Sequence, residues 1–389
     1  MSNMFIPYGK QNINQADVDA VVQVLQSDFL TQGPQVPLFE KSVAELVGAK
    51  YAFAMNSATS ALHVACLALG LKKGDVLWTS PITFVASANC ALYCEADVDF
   101  VDIDPDTYNL SVDALKEKLE IAKKNNKLPK IVVPVHLCGQ PCDMEKIHAL
   151  SKEYGFSVIE DASHAIGGKY KERYIGSNQY SDITIFSFHP VKIITTAEGG
   201  MALTNNEDLA KKIDLLRSHG VTRNPEFMTK PSEGPWYYQQ VELGYNYRMT
   251  ELQAALGVTQ LTRLETFVAK RHEIAKKYNE LLKDLPLITP YQLPETYSGL
   301  HLYVIRLKLD ELSKGRKEIF EILREKGIGV NVHYIPVHTQ PYYQQLGFKQ
   351  GDFPEAEAYY EAAISLPMFP DLTDEQIQYI YQTLKEVLV

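Results

Sequence analysis

A chain of 389 residues, 46% hydrophobic and 22% charged, has the balance of a folded protein and enough length to bury a large core divided between two domains. Its formal net charge of −10 argues against a nucleic-acid partner, yet leaves room for a local donor cluster that binds a small anion. No long apolar span occurs and Met1 to Lys10 lacks a signal-peptide layout, so no membrane partner and a cytoplasmic location are expected; the odd, scattered Cys66, Cys90, Cys94, Cys138 and Cys142 fit reduced thiols there.

Apolar runs near 51–55, 76–80, 98–102, 131–135, 157–160, 183–188 and 200–204 alternate with helical patterns such as Val112 to Lys124 and Met144 to Tyr154. That alternation predicts an α/β fold with a mainly parallel seven-stranded sheet sandwiched by helices. The last run follows its predecessor after a loop too short for a helical crossover, so it is expected to be antiparallel. Thr250 to Leu282 then carries one long helical pattern. After Pro286, Pro290 and Pro294 come a strand-like run Leu302 to Leu309, a helix from about Gly315 to Lys326 and a strand Ile328 to Ile335, the makings of a smaller α+β domain. Thr373-Asp374-Glu375-Gln376 reads as a capping box opening the last helix. The expected boundaries are 15–255 for the large domain and 256–389 for the small one, with 1–14 packing nearby.

The first motif with chemistry in it is Asn56-Ser57-Ala58-Thr59-Ser60, a small-residue turn between a strand and a helix. Helix N-terminal N–H groups carry partial positive charge, and Ser57, Thr59 and Ser60 add hydroxyls, so the turn suits a phosphate. Phe84, after the second strand, either packs in the core or lays its ring on a ligand. His136, Cys138, Cys142 and His148 tempt a metal reading, but their spacing matches no structural zinc pattern and Gly139-Gln140-Pro141 looks like a turn; a packed loop and no metal are expected.

Asp161 ends the strand begun at Val158, and His164 follows three positions on. Lys192, 192 − 161 = 31 residues later, leaves the buried strand that ends at Phe188. Parallel strands deliver their C-terminal ends to one edge, so the two can face one crevice. Burial disfavours an ammonium, which would let Lys192 attack a carbonyl and form a Schiff base with an aldehyde such as pyridoxal phosphate; Asp161 would keep the pyridine nitrogen protonated. Singly, Lys192 reads as a snorkelling strand-end lysine, Asp161 as a helix cap and His164 as a structural histidine. Phosphate turn, aspartate and lysine in this order make the stronger case.

With Leu30-Thr31-Gln32-Gly33-Pro34, Asn56 to Leu62, Asp161-Ala162-Ser163-His164-Ala165, Ser187 to Gly200 and Gly244-Tyr245-Asn246-Tyr247-Arg248-Met249-Thr250-Glu251, the chain resembles the DegT/DnrJ/EryC1/StrS sugar aminotransferases. The resemblance implies the fold type I architecture of pyridoxal-phosphate-dependent transferases, with 15–255 binding the cofactor. It implies Lys192 as the catalytic residue and Ser57, Ala58, Thr59, Phe84, Asp161, His164, Ser187, Lys192 and Asn246 as cofactor-binding, Phe84 stacking on the ring. Asn246 would reach the cofactor phosphate of a neighbouring subunit, making a homodimer with shared active sites. Arg248 is implied near the substrate or the amino donor's carboxylate, and Tyr8, Thr31, Gln32, His333 and Tyr334 are candidates for sugar or nucleotide contacts. The implied reaction moves an amino group from L-glutamate to a nucleotide-linked 4-keto-6-deoxy sugar. Thr195-Thr196-Ala197-Glu198-Gly199-Gly200 is similar to the branch that aminates UDP-2-acetamido-2,6-dideoxy-β-L-arabino-hexos-4-ulose for pseudaminic acid. Another UDP-, GDP- or dTDP-ketosugar, or a non-catalytic cofactor-binding sensor, are the alternatives.

Overall fold

The computed structural model describes residues 5–389; Met1 to Met4 of the N-terminal segment lie outside the described residues. After α1 (Gln15–Leu25) and α2 (Gln35–Val47), strands and helices alternate: β1 (Tyr51–Met55), α3 (Ala58–Ala68), β2 (Val76–Thr79), α4 (Ala86–Tyr93), β3 (Asp97–Phe100), α5 (Val112–Lys124), β4 (Ile131–Val133), α6 (Met144–Tyr154) and β5 (Ser157–Asp161). With β6 (Ile183–Ser187) and β7 (Gly200–Thr204) they form a seven-stranded sheet of order β1-β7-β6-β5-β4-β2-β3. As the short loop before it requires, β7 runs antiparallel to both neighbours, while every other pair is parallel.

Both faces of this sheet are covered. Leu77, Ile131, Ile159 and Ile185 pack with α3 and α4 on one side; Trp78, Val132, Val158 and Phe186 pack with α2, α5 and α6 on the other. Burial on both sides is why these strands read as unbroken apolar runs instead of alternating with polar residues.

After α7 (Glu207–Arg217) and a short hairpin pairing Val221–Thr222 with Gln239–Gln240, the long helical pattern resolves into two helices, α8 (Glu251–Leu261) and α9 (Leu264–Leu282). At the break the Thr262 hydroxyl donates to the Thr259 carbonyl, and Arg263 sends its guanidinium to Asn12 and to the buried Asp17. The Asn14 N–H, the Thr259 hydroxyl and the Gln260 amide also donate to Asp17, so this buried carboxylate is fully partnered.

Beyond α9 lies an antiparallel sheet of order β8-β9-β10, formed by β8 (Leu287–Ile288), β9 (Tyr303–Leu307) and β10 (Ala363–Leu366). The helices α10 (Arg316–Glu325), α11 (Pro341–Gln345), α12 (Pro354–Ala362) and α13 (Asp374–Leu388) complete the chain, α13 opening on the expected Thr373/Gln376 capping box. Residues of α9, α10, α13 and this sheet share an apolar cluster that also takes Ile6 from the N-terminal segment. The strand expected over Ile328 to Ile335 does not form. Ile328 and Asn331 make single bridges to Ile6 and Ser365, while β10 takes the place beside β9. The freed segment instead presents His333 and Tyr334 to the cavity described next.

Candidate active site

Strands β1, β2, β5 and β6 deliver their C-terminal ends to one edge of the sheet, where the loops after them line a cavity of about 1020 Å³. At the end of β1, Ser57 caps α3, its hydroxyl accepting from the Ser60 N–H at 3.1 Å. Ser60 donates its hydroxyl to Asn56 at 2.7 Å. The backbone N–H groups of Ala58 and Thr59 sit in the first turn, where a helix supplies no partner, and both residues line the cavity. Strand β7 passes directly beneath: a Cβ on Gly200 would stand 2.4 Å from Ala58 N and 2.5 Å from the Ser57 carbonyl carbon. Only a residue without a side chain lets the sheet press on this turn.

Asp161, the last residue of β5, is 5% exposed. One carboxylate oxygen accepts from the Ser87 hydroxyl of α4 at 2.6 Å; the other accepts from the Ser163 hydroxyl at 2.6 Å and its N–H at 3.1 Å. Three donors hold the carboxylate in place while the residue still lines the cavity. Lys192 faces the same space, half-buried, with its exposed part opening to the cavity. Desolvation drives its pKa down to about 8, with Asp161 and Cys138 pulling the other way.

Three histidines gather beside the lysine. His164 and His301 lie with ring centroids 4.5 Å apart, and His164 accepts the Cys138 N–H on Nδ1 at 3.3 Å. That bond assigns its proton to Nε2, which faces the Tyr334 hydroxyl at 3.1 Å, leaving the Tyr334 O–H to donate into the cavity. Burial pushes the Tyr334 phenol up, so it stays a donor. His333 pairs through Nδ1 with the Ser365 hydroxyl at 2.7 Å and is depressed to about 3 by burial and by Lys192. His164 and His301 are likewise held well below the usual imidazole range, by burial first, with Lys192 adding to the push on both. All three are neutral, and Lys192 is the one lysine or arginine among the described residues of the lining.

Of the residues singled out in the sequence, Tyr8, Ser57, Ala58, Thr59, Phe84, Asp161, His164, Ser187, Lys192, His333 and Tyr334 all line this cavity. Phe84 is 59% exposed, which decides against core packing. Thr31, Gln32, Asn246 and Arg248 lie outside the lining. Thr31 and Gln32 are exposed, in a loop whose Leu30 carbonyl accepts from the Glu251 N–H at 3.0 Å. Asn246 is exposed, its carbonyl 3.4 Å from the Asn56 amide, and Arg248 donates to the Ser218 hydroxyl at 2.9 Å. His136 and Cys142 are tied up in a packed loop: His136 Nε2 pairs with Glu160 at 2.8 Å and Nδ1 accepts the Cys142 N–H.

Ser87, Ser163 and His301 escaped sequence reasoning. Ser163 stands inside the Asp-Ala-Ser-His run and was open to being read as a local donor to Asp161. Ser87 and His301 sit in runs of ordinary helix and strand pattern and carry no local signal. His301 is held from behind by Arg271, whose Nη1 donates to the carbonyls of Leu300, His301 and Met368.

The donor set fits pyridoxal 5′-phosphate. A helix N-terminus stands ready for the phosphate, a fixed carboxylate for the ring nitrogen, an amine of lowered pKa for the aldehyde, and an exposed aromatic ring for the pyridine face. Among the described residues no helix is long and apolar enough to cross a membrane.

Comparison with known proteins agrees with this geometry. The model of the DegT/DnrJ/EryC1/StrS aminotransferase family matches residues 11–385. The spore coat polysaccharide biosynthesis protein SpsC of Bacillus subtilis is 40% identical over 99% of this chain and 98% of its own. The UDP-4-amino-4,6-dideoxy-N-acetyl-beta-L-altrosamine transaminase of Campylobacter jejuni is 38% identical over 98% of this chain and 97% of its own. Among solved structures, Helicobacter pylori PseC, an aminotransferase of pseudaminic acid biosynthesis, superposes with a TM-score of 0.90 at 33% identity, covering 99% of both chains.

Proposed function

The chain belongs to the DegT/DnrJ/EryC1/StrS aminotransferase family, and from that premise we propose that it moves the amino group of L-glutamate to C4 of UDP-2-acetamido-2,6-dideoxy-β-L-arabino-hexos-4-ulose, giving UDP-4-amino-4,6-dideoxy-N-acetyl-β-L-altrosamine. It is a pyridoxal-phosphate-dependent sugar aminotransferase. The observation that carries the reading is Lys192, an amine depressed to about 8 that shares one cavity with the three-donor Asp161 and the α3 N-terminus.

Pyridoxal phosphate, when bound, supplies an electron sink for the charge left when a C–H bond is broken. The chain's own residues do the rest. Ser57, Ala58 and Thr59 would hold its phosphate, with Ser187 as a further donor; Asp161, fixed by Ser87 and Ser163, would keep its ring nitrogen protonated, and Phe84 would pack on its ring. Lys192 takes the proton from donor carbon and returns it on the sugar half-reaction, its lowered pKa suiting an amine that works as base and then acid. Tyr334, tuned by the His164 tautomer, donates to substrate oxygen, with Tyr8 and His333 nearby.

We further assign residues 15–255 to cofactor binding and 256–389 to a smaller domain that shapes the sugar side of the cavity. The reaction would run in the cytosol, where the five free cysteines stay reduced. Thr31, Gln32, Asn246 and Arg248 act across a homodimer in this reading. Exposed Phe29, Leu30 and Leu243 near these residues in sequence supply apolar surface for the contact. Mixing Lys192→Arg with Asn246→Ala chains, each inactive alone, restores activity if sites are shared; no recovery removes the shared site.

The substrate is tested by steady-state kinetics with glutamate and a panel of nucleotide-4-ketosugars, reading 2-oxoglutarate. Turnover with the UDP-N-acetyl sugar is expected to lead the panel, and its absence would sink the assignment. The 40% identity to SpsC favours a second reading, a different nucleotide sugar for polysaccharide assembly; a GDP- or dTDP-linked ketosugar leading the panel would select it.

A further inference from the structure

The loop that leads from β2 into α4 brings two hydroxyls together. Thr83 and Ser87, four positions apart, have their oxygens 2.7 Å from one another. Both residues are buried and both border the cavity. One short segment thus carries the exposed Phe84 ring and, beside it, a buried pair of hydroxyls.

Each hydroxyl has one proton to give, so the direction of the chain follows from its partners. Ser87 has three: the Asp161 carboxylate at 2.6 Å, the Thr83 hydroxyl at 2.7 Å and the Phe84 carbonyl at 3.3 Å. A carboxylate and a carbonyl only accept, and the shorter, charge-assisted bond takes the Ser87 proton. Ser87 then has none left for Thr83, so Thr83 donates and Ser87 accepts. The Phe84 carbonyl is the competing acceptor, because a serine in a first helical turn can bond back to a carbonyl three residues earlier. Donation from Thr83 occupies a Ser87 lone pair and keeps the Ser87 proton on the Asp161 side. The other Asp161 oxygen takes its donors from Ser163, two residues along the same loop. Only the Thr83–Ser87 chain ties this carboxylate, through its side chain, to α4.

We propose that Thr83 is a positioning residue for the cofactor: it orients the Ser87 proton onto Asp161 and so holds that carboxylate where the pyridine nitrogen of pyridoxal phosphate meets it. This rests on the reading above in which Asp161 faces the ring nitrogen. Thr83 acts through Ser87, and its methyl group has no part in the chain. That separates the role from packing: valine keeps the shape and loses the donor, whereas serine keeps the donor and loses the methyl.

The test takes the full-length protein and its variants, stripped of cofactor, and measures affinity by equilibrium dialysis for two probes. One is pyridoxal 5′-phosphate; the other is its deaza analogue, whose ring carries C–H in place of the nitrogen. The parent is expected to prefer pyridoxal phosphate. Thr83→Val should bind it about fivefold more weakly, the worth of one hydrogen bond, and bind the analogue as the parent does. Thr83→Ser should restore the parent value. Thr83→Val added to Ser87→Ala should cost nothing beyond Ser87→Ala alone, because the chain is already cut. Equal losses for both probes, additive losses in the double variant, a Thr83→Ser protein as weak as Thr83→Val, or a Thr83→Val protein that binds as the parent does each overturn the proposal. An Asp161→Asn protein that keeps the parent's preference between the probes overturns the placement of Asp161 at the ring nitrogen, and the proposal falls with it.

Discussion

Lys192 is poorly solvated, and the sign of that effect gives a measurable pH dependence. With its pKa near 8, the neutral amine that attacks an aldehyde dominates only above that pH. Apoenzyme mixed with pyridoxal phosphate is expected to capture it at a rate that climbs through pH about 8 and then levels, as followed by stopped-flow absorbance. Asp161 raises the lysine pKa, so Asp161→Asn should move that rise to lower pH; a shift upward would contradict the argument. Ser87 gives Asp161 one of its two shortest bonds. A hydrogen bond to a charged group is worth about 1.5–3 kcal/mol, so Ser87→Ala is expected to weaken cofactor binding roughly ten- to hundredfold, measured by equilibrium dialysis.

At the scale of elements, two close approaches set where helices begin. Gly200 lets β7 lie under the first turn of α3, and the atoms a new Cβ would strike are backbone, which cannot rotate away. Gly200→Ala is expected to cost about 1–3 kcal/mol and to reduce cofactor affinity at the same time, read by urea unfolding and dialysis together. The second approach is at α2. Glu251, 1% exposed, accepts the N–H groups of Gln35 at 2.6 Å and Val36 at 3.2 Å, so a residue of α8 caps a helix 216 positions upstream. Gly33 leaves it room, since a Cβ there would lie 2.7 Å from the Glu251 carboxylate. Glu251→Gln should lower stability by about 1 kcal/mol through the lost charge at the helix N-terminus, as read by urea unfolding.

For the whole molecule, the cavity histidines govern the response to acid. His164, His301 and His333 stay neutral in the folded state well below the usual imidazole range, His333 to about 3. The unfolded chain protonates the same groups near pH 6.5. Between these limits the unfolded state binds more protons, so stability is fully present above about pH 6.5 and falls as pH drops toward the folded values, by up to about 1.4 kcal/mol per pH unit for each histidine. Urea midpoints of the apoenzyme measured from pH 7 to pH 5 should fall accordingly, and His301→Leu should flatten the slope. A pH-independent midpoint would mean that the three rings take up protons in the folded protein as readily as in the unfolded chain.

The parallel sheet, the antiparallel last strand and the Ser57, Asp161 and Lys192 positions were legible because each depends on neighbours a few residues away: an apolar run, a short loop, a polar residue at a strand end. Ser87 was not legible, since its meaning lies in a bond to Asp161 across 74 positions, nor was the pairing of His164 Nε2 with Tyr334 across 170. The break in the α8–α9 pattern sits where Arg263 reaches back to Asp17, and the segment 328–335 keeps only single bridges to Ile6 and to Ser365 of β10 while β10 pairs with β9. Sequence alone determined the seven strands of the large sheet and the edge at which Asp161 and Lys192 meet, because periodicity and strand termination are local properties. Tertiary structure decided which hydroxyl fixes the aspartate, which nitrogen holds the proton and how far the lysine is desolvated, because those depend on what distant segments bring within about 3 Å.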